Sequence, residues 1–95
     1  MKRIINSSNH LTEGVDPTLV RYSAFFEGVY IGEYDTLNKA KKLLRRAIVQ
    51  TIRAHGKDSV ELDDCYILQY LIGDVLDSVE KYCALDDPYF AKYII

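Results

Sequence analysis

Tryptophan is absent from this chain of 95 residues, and cysteine, proline and glycine are scarce, with two, two and five residues respectively. Two cysteines cannot form a disulfide framework and suit a reducing compartment, so we expect a cytoplasmic protein. No apolar run approaches the roughly 18 residues that a membrane-spanning helix needs. The first ten residues lack the apolar core of a secretory signal, so we expect no export.

Recognisable catalytic and metal-binding patterns are also missing. The two histidines, His10 and His55, stand in no pattern with a nucleophile and a carboxylate. Cys65 and Cys83 lie 18 residues apart, which is not a metal-ligand spacing. No glycine-rich phosphate loop occurs. We therefore expect a protein that is not an enzyme and that holds no metal ion and no cofactor.

The length suits one domain over residues 1–95, because two cores of half this size would each be too small to be stable. Apolar residues make up 48% and charged residues 27%, which is typical of a globular protein. Residues 1–19 are polar and contain Gly14 and Pro17. We predict an irregular N-terminal segment there, with a short strand at best around Arg3–Ile5.

Residues 20–34 are rich in β-branched and aromatic residues and break at Glu27-Gly28. This pattern predicts a β-hairpin with strands 20–26 and 29–34, because a glycine supplies the positive φ that a tight turn needs.

A two-residue loop also predicts which residues of the hairpin share a face. The opposed pairs would be Phe26 with Val29, Ala24 with Ile31, and Tyr22 with Glu33. The more aliphatic face is the expected core face: Val20, Tyr22, Ala24, Phe26, Val29 and Ile31. The other face is aromatic with a polar edge: Arg21, Ser23, Phe25, Tyr30, Gly32 and Tyr34.

Apolar residues at three- and four-residue steps predict an amphipathic helix over residues 37–55. Thr36 precedes it as a candidate N-cap, and Gly56 follows it as a C-terminal stop. The expected buried stripe is Leu37, Ala40, Leu44, Ala47, Ile48, Thr51 and Ile52.

A second helix is predicted over residues 64–84, capped by Asp63 or Asp64. Its apolar face would consist of Cys65, Leu68, Ile72, Val75, Leu76, Val79 and Cys83. A short apolar run cannot be assigned by period alone, so residues 65–72 could instead form a buried strand that ends at Gly73. Asp86 to Pro88 then predict a turn, and the apolar tail after it should dock as a strand or a short helix. The predicted fold is α+β, with the hairpin packed on two helices. A third strand from either terminus could pair with the hairpin.

Charge is unevenly distributed along the chain. Residues 1–35 carry three basic and five acidic side chains, residues 36–57 seven and none, and residues 58–95 two and nine. The small net charge of −2 therefore conceals a block of +7 and a block of −7.

The basic block coincides with the helix over residues 37–55. Lys39, Lys42, Arg46 and Arg53 fall on one side of that helix, away from the apolar stripe, and are flanked by Lys41 and Arg45. Such a face is often merely solvated, or is neutralised by acidic residues such as Asp74, Asp77 and Glu80. It could also meet the acidic end of a second copy and form a salt-sensitive homo-oligomer.

The absence of acidic residues over residues 36–57 favours an anionic partner for the basic helix. We therefore expect a small binding module that docks on nucleic acid or a nucleoprotein complex through this helix and has no contact with a membrane. Phe25, Tyr30 and Tyr34 beside Arg21 could add a stacking surface for bases, unless the second helix or the tail covers them.

Residues 28–44 carry a local pattern in which a strand with Tyr30, Ile31 and Gly32 leads through Tyr34 and Thr36 to a helix with an early Ala40. This pattern resembles the hairpin-to-helix junction of the ethylene-response-factor type domain of plants and of the arm-type DNA-binding domain of phage integrases. The resemblance implies a sheet that enters the major groove of DNA, with the helix packed behind it.

The general character of the chain, which is short, rich in tyrosine, acidic towards its end and without a catalytic motif, is similar to small phage proteins that inhibit host machinery, including anti-CRISPR proteins. The alternative function is therefore a protein-interaction inhibitor that occludes a surface of a host defence complex. If a phage encodes it, we expect it in the host cytoplasm.

Overall fold

A computed structural model describes residues 17–72 and 74–94 of the chain. The elements in it are β1 (Val20–Phe26), β2 (Val29–Tyr34), α1 (Leu37–His55), β3 (Tyr66–Leu71), β4 (Asp74–Cys83) and the short helix α2 (Ala91–Ile94). This part of the chain has an α+β fold, with four antiparallel strands in the order β2-β1-β3-β4 and one main helix. The strand predicted around Arg3–Ile5 lies outside the described residues.

The hairpin of β1 and β2 is confirmed with its predicted bounds. Its loop residues, Glu27 and Gly28, both have positive φ, 50° and 82°. Two consecutive residues with positive φ form the type I′ turn, whose twist matches that of the strands on either side. The turn is joined to the rest of the fold because the Gly28 amide donates to the Asp64 carbonyl oxygen at 3.0 Å.

Replacing Gly28 with alanine is expected to lower the free energy of unfolding by about 1–2 kcal/mol, the cost of a left-handed backbone for a residue with a Cβ. A Cβ at Gly28 would meet no atom within 4 Å, so the loss would come from the backbone alone. Gly28→Asn is the matched control, and it should cost less because asparagine tolerates this region. Urea denaturation measures both variants, and equal losses would contradict the assigned turn.

The register of the hairpin was predicted correctly at the turn and wrongly beyond it. Phe26 pairs with Val29 as expected, but Ala24 pairs with Gly32 rather than Ile31, and Tyr22 pairs with Tyr34 rather than Glu33. The cause is a bulge in β2, which places one extra residue, Ile31, between the residues that pair with Phe25 and Ala24.

The bulge also changes the composition of the two faces. Tyr34 lies on the core side with Tyr22 and packs against the buried cluster, although it was predicted on the other face. Val29, predicted in the core, is 65% exposed near the turn. Ile31 still packs against the core as predicted.

The helix predicted over residues 64–84 is wrong. Residues 66–71 and 74–83 form β3 and β4, and β3 pairs with both β1 and β4. The alternative, a buried strand over residues 65–72, is the correct assignment for this region. Asp63 and Asp64, predicted as helix caps, lie instead in a short 3₁₀ turn before β3.

A sheet forms here because a two-stranded hairpin is marginal in water and gains stability from a third strand. β1 needs a partner on its second edge, and β3 supplies two tyrosines and an isoleucine in a segment with alternating burial, in which Ile67 and Gln69 are buried. The third strand of the described sheet therefore comes from the interior of the chain, and the C-terminal segment is helical rather than a strand. A strand from the N-terminus would lie outside the described residues. The pairing of β3 with β4 contains two register shifts.

The helix α1 is confirmed with its predicted bounds. The Thr36 hydroxyl accepts from the Lys39 amide at 3.2 Å, and the amide of Gly56, which has φ 104°, donates to the Ile52 carbonyl at 2.7 Å. The helix crosses one face of the sheet, where the core forms. Its members include Ala24, Ala40, Leu44, Ile48, Ile52, Ile67 and Phe90.

The C-terminal segment, residues 84–94, docks as expected and takes the form of short helical turns that end in α2. Phe90 is fully buried in the core cluster together with Ala84. The predicted turn at Asp86 to Pro88 is present, and the Asp87 carboxylate caps the following turn by accepting from the Tyr89 amide at 2.9 Å. This segment packs beside α1, and so it can contribute to a site on that helix.

Candidate functional site

The basic side chains of α1 divide into two groups in the structure. Lys39, Lys41 and Arg45 contact other parts of the chain, whereas Lys42, Arg46 and Arg53 are exposed on one side of the helix. The two groups therefore differ in their surroundings, a division that the sequence pattern did not show.

Lys39 and Lys41 have local partners. The Lys39 ammonium lies 3.0 Å from the Asp35 carboxylate, and its hydrogen bond and charge hold the pKa of that carboxyl below its ordinary value. Both side chains of this pair are largely exposed, so its contribution to stability is small. Lys41 lies over the Tyr82 ring, 5.4 Å from the ring centre.

Arg45 forms a bidentate ion pair with Asp87. Its Nε and Nη2 atoms donate to the two carboxylate oxygens at 2.9 and 3.1 Å. The Tyr82 hydroxyl also donates to Asp87, whose side chain is only 4% exposed. Together with the Tyr89 amide, these donors satisfy both oxygens of the carboxylate.

Protonation of this network is set by a balance between burial and hydrogen bonding. Burial alone would raise the pKa of Asp87, but donation from Tyr82, the Tyr89 amide and Arg45 outweighs it, so the pKa lies below the ordinary value. Burial, and then the hydrogen bond to Asp87, raise the pKa of Tyr82. At neutral pH the carboxylate is therefore charged, the phenol neutral, and α1 is tied to the C-terminal segment.

The exposed cations line a groove of about 480 Å³ between α1 and the C-terminal segment. Its lining consists of Lys42, Arg45, Arg46, Val49, Gln50, Arg53, Tyr89 and Tyr93. None of these lining residues is acidic, and Lys42, Arg46 and Arg53 form no ion pair with a carboxylate of residues 17–72 or 74–94. The groove thus has a positive wall, and its volume falls within the usual range for ligand sites.

Two tyrosine rings form the other wall of the groove. The ring centres of Tyr89 and Tyr93 are 6.1 Å apart, and the ring planes are inclined by 41°. Arg45 lies over Tyr89, with its guanidinium carbon 4.5 Å from the ring centre, and Lys92 lies 5.1 and 5.3 Å from the two ring centres. Cations at these distances are attracted to the aromatic faces.

The predicted aromatic platform on the hairpin is separated from this groove. Arg21 donates to the carbonyls of Thr18 and Val20 and lies 3.8 Å from Glu33. Tyr34 belongs to the core side of the sheet. The tail packs beside α1, so it does not cover the other side, as one of our alternatives supposed.

Tyr30 contributes to a different aromatic cluster. Its ring lies 5.9 Å from that of Phe25, which in turn lies 5.0 Å from Tyr66 on β3. The candidate residues named from the sequence therefore fall in two places, and the larger, more basic set is the one on α1.

Neither cysteine belongs to a site of obvious chemistry. Burial raises the pKa of the Cys65 thiol to about 11, which keeps it protonated and unreactive at neutral pH. Cys83 is half-buried and donates weakly to two backbone carbonyls. Within the described part of the chain, no three His, Cys, Asp or Glu side chains are grouped so that they could hold a metal ion.

The sequence pattern did not predict the tyrosine wall, because the tail was expected to dock as an apolar segment and was given no place beside the basic helix. A signal was present, because Tyr89 and Tyr93 are four residues apart and lie on one face of a helical turn. Lys92 next to them adds a positive charge. What the sequence could not show is that this face meets α1.

The helices of the described residues include none that combines the length and the apolar character required to cross a membrane. A scan of protein-family models, a search of curated proteins and a search of solved structures return no match to this chain. Its function must therefore be argued from the groove and its chemistry.

Proposed function

We propose that this protein is a non-enzymatic module that binds nucleic acid in the groove between α1 and the C-terminal segment. One observation carries the proposal: Lys42, Arg46 and Arg53 line the same groove, and none of the described residues that line it is acidic. Neutralising phosphates with such side chains releases counterions from the nucleic acid, which drives binding at moderate salt.

Electrostatics within α1 support an anionic partner. Lys42 and Arg46 are four residues apart on a helix, where like charges repel each other by a few tenths of a kcal/mol. A phosphate between them would replace this repulsion with two attractions. By contrast, Lys39 and Arg45 are already paired with carboxylates, so they add less to the binding of a phosphate.

The dimensions of the cationic wall suit a phosphate backbone. Lys42 and Arg53 are 11 residues apart, which corresponds to about 16 Å along a helix axis. In a B-form duplex one strand has a phosphate every 3.4 Å or so of axis, and the phosphates of an extended single strand lie farther apart, so this wall is long enough to contact a few successive phosphates of either.

The charge distribution favours the helix over the sheet as the contact surface. The resemblance to hairpin-helix DNA-binding domains implies contact through the sheet, but the β2 side of this hairpin presents Glu33 beside Arg21, and Glu33 also accepts from Tyr70. Such a surface holds little unpaired positive charge. The proposal therefore places the nucleic acid on α1.

Reversing two charges of the groove should weaken binding of a fluorescein-labelled 12-nucleotide DNA by at least about tenfold at 50 mM salt, because two phosphate contacts become repulsive. The variant is Lys42→Glu/Arg46→Glu, in which both positions are exposed, so the core is not disturbed. Fluorescence anisotropy measures the affinity. For the unaltered protein we also expect the logarithm of the association constant to fall linearly with the logarithm of the salt concentration. The slope should be about −2, because three cations each contact one phosphate of a single strand.

Lys57→Glu/Lys81→Glu is the matched control. It changes the net charge by the same amount, at two exposed positions that do not line the groove. A similar loss in both variants would mean that only net charge matters, and would overturn the proposal. So would a complete lack of binding by the unaltered protein at 50 mM salt.

A further inference from the structure

We infer that the groove takes a single strand of nucleic acid rather than a duplex, with bases stacked on Tyr89 and Tyr93 while the phosphates contact the cations of α1. This inference rests on the proposed function and specifies its ligand. It is carried by the second wall of the groove, which a site for phosphates alone does not need. Single-strand sites typically combine a positive groove with aromatic rings on which bases stack.

The two rings are positioned for this role. Both line the groove together with the cations of α1, and Tyr89 is 38% exposed, so this residue is accessible to a ligand in the groove. Their centres are 6.1 Å apart, a separation that lets neighbouring rings act on neighbouring bases. Gln50 also lines the groove and offers an amide donor and acceptor for base edges.

The Tyr89 ring is held in place before any ligand arrives. Arg45 covers part of it at 4.5 Å, and the same guanidinium is fixed by its two hydrogen bonds to Asp87. The Tyr89 amide is bound to that carboxylate as well. A ring that loses little freedom on binding retains more of its stacking energy as affinity.

A duplex would use this groove poorly. Bases in a duplex are stacked on one another, so their faces are not available to the tyrosines, and only their edges and the phosphates are. A helix that enters the major groove also needs free flanks, whereas α1 has the sheet on one side and the C-terminal segment on another. Tyr89 and Tyr93 would then add no stacking contact to the binding of a duplex.

The decisive experiment varies the bases while the phosphates are kept. Anisotropy at 50 mM salt compares four labelled ligands of equal length: a 12-nucleotide dT strand, a 12-nucleotide rU strand, a 12-residue abasic DNA strand and a 12-base-pair duplex. We expect dT and rU to bind at least about fivefold more tightly than the abasic strand, because stacking on the rings is lost with the bases. The duplex should also bind more weakly than the single strands.

Substitutions then test the ring itself. Tyr89→Leu should lose at least about fivefold in affinity for dT, whereas Tyr89→Phe, which keeps the ring, should retain it. Tyr30→Leu is the control, since Tyr30 is 56% exposed and does not line the groove. Far-ultraviolet circular dichroism checks that each variant is folded. If Tyr89→Leu does not fold, the comparison of the dT and abasic strands with the unaltered protein tests the inference instead.

The outcomes separate the two proposals. Equal binding of the dT, abasic and duplex ligands, all sensitive to Lys42→Glu/Arg46→Glu, would overturn the single-strand inference and leave the proposed function intact. Absence of binding to all four ligands would overturn both. Both proposals would be supported if dT and rU bind more tightly than the abasic strand and the duplex, and if Tyr89→Leu loses affinity while Tyr89→Phe and Tyr30→Leu do not.

Discussion

Phe90→Ala is expected to lower the free energy of unfolding by about 3–5 kcal/mol, which is typical when a buried phenylalanine is removed. Phe90 is fully buried in the cluster that also contains Leu44 and Ile48 of α1. The protein interior is close-packed, so a ring of this size leaves a cavity that its neighbours fill only in part. The C-terminal segment would thus be an integral part of the fold.

Leu85→Ala is the control for Phe90→Ala, because Leu85 is in the same segment but 60% exposed. We expect it to change the free energy of unfolding by less than about 0.5 kcal/mol. Urea denaturation followed by circular dichroism measures both variants. If Phe90→Ala unfolds the protein outright, Phe90→Leu, with a smaller loss of volume, gives the graded result. Equal stability of the Phe90 and Leu85 variants would show that the segment does not belong to the cooperative unit.

Asp87→Asn is expected to cost about 3 kcal/mol, near the lower end of the range for breaking a buried ion pair. The carboxylate accepts from Arg45, Tyr82 and the Tyr89 amide, and an amide can replace only part of this acceptor capacity. Arg45 would then be left without its counter-charge. The neighbouring exposed Asp86→Asn is the control, with an expected change below about 0.5 kcal/mol.

The same carboxylate makes stability depend on pH. The pKa of Asp87 is lower in the folded protein than its ordinary value of 3.8, so the unfolded chain takes up its proton at a higher pH than the folded one. The resulting stabilisation is complete above the unfolded pKa and is lost as the pH falls through the folded pKa. In urea titrations between pH 7 and pH 2, the unaltered protein should lose this increment below about pH 4.

Asp87→Asn cannot take part in this titration. Its loss of stability below pH 4 should therefore be smaller than that of the unaltered protein, and the two curves should converge at low pH. Parallel curves over the whole range would show that Asp87 is not the group responsible, and would contradict the network described for the C-terminal segment.

Local patterns were sufficient for the hairpin and for α1. The turn at Glu27-Gly28, the Thr36 cap and the Gly56 stop each act over a few residues, so their effects could be deduced from neighbours in the chain. The basic face was predictable for the same reason, since helical geometry alone places Lys42, Arg46 and Arg53 on one side.

Long-range pairing decided what local patterns left open. Residues 66–83 have apolar spacings that suit a helix, yet they form β3 and β4, because the free edge of β1 offers a partner. The bulge in β2 moved Tyr34 to the core side, since one extra residue reverses the face of every residue that follows. Neither event has a signal within a single turn or strand.

The sequence by itself determined the helix α1, the tight turn of the hairpin and the concentration of positive charge on one side of the helix, because each depends on residues only a few positions apart. The tertiary structure alone decided the sheet order and the division of the cations, in which Arg45 is bound to Asp87, 42 residues later in the chain. It also decided that Tyr89 and Tyr93 face Lys42 and Arg53 across one groove. Contacts between distant segments depend on how the whole core packs. Such packing leaves no repeating pattern among neighbouring residues, so it cannot be read from the sequence alone.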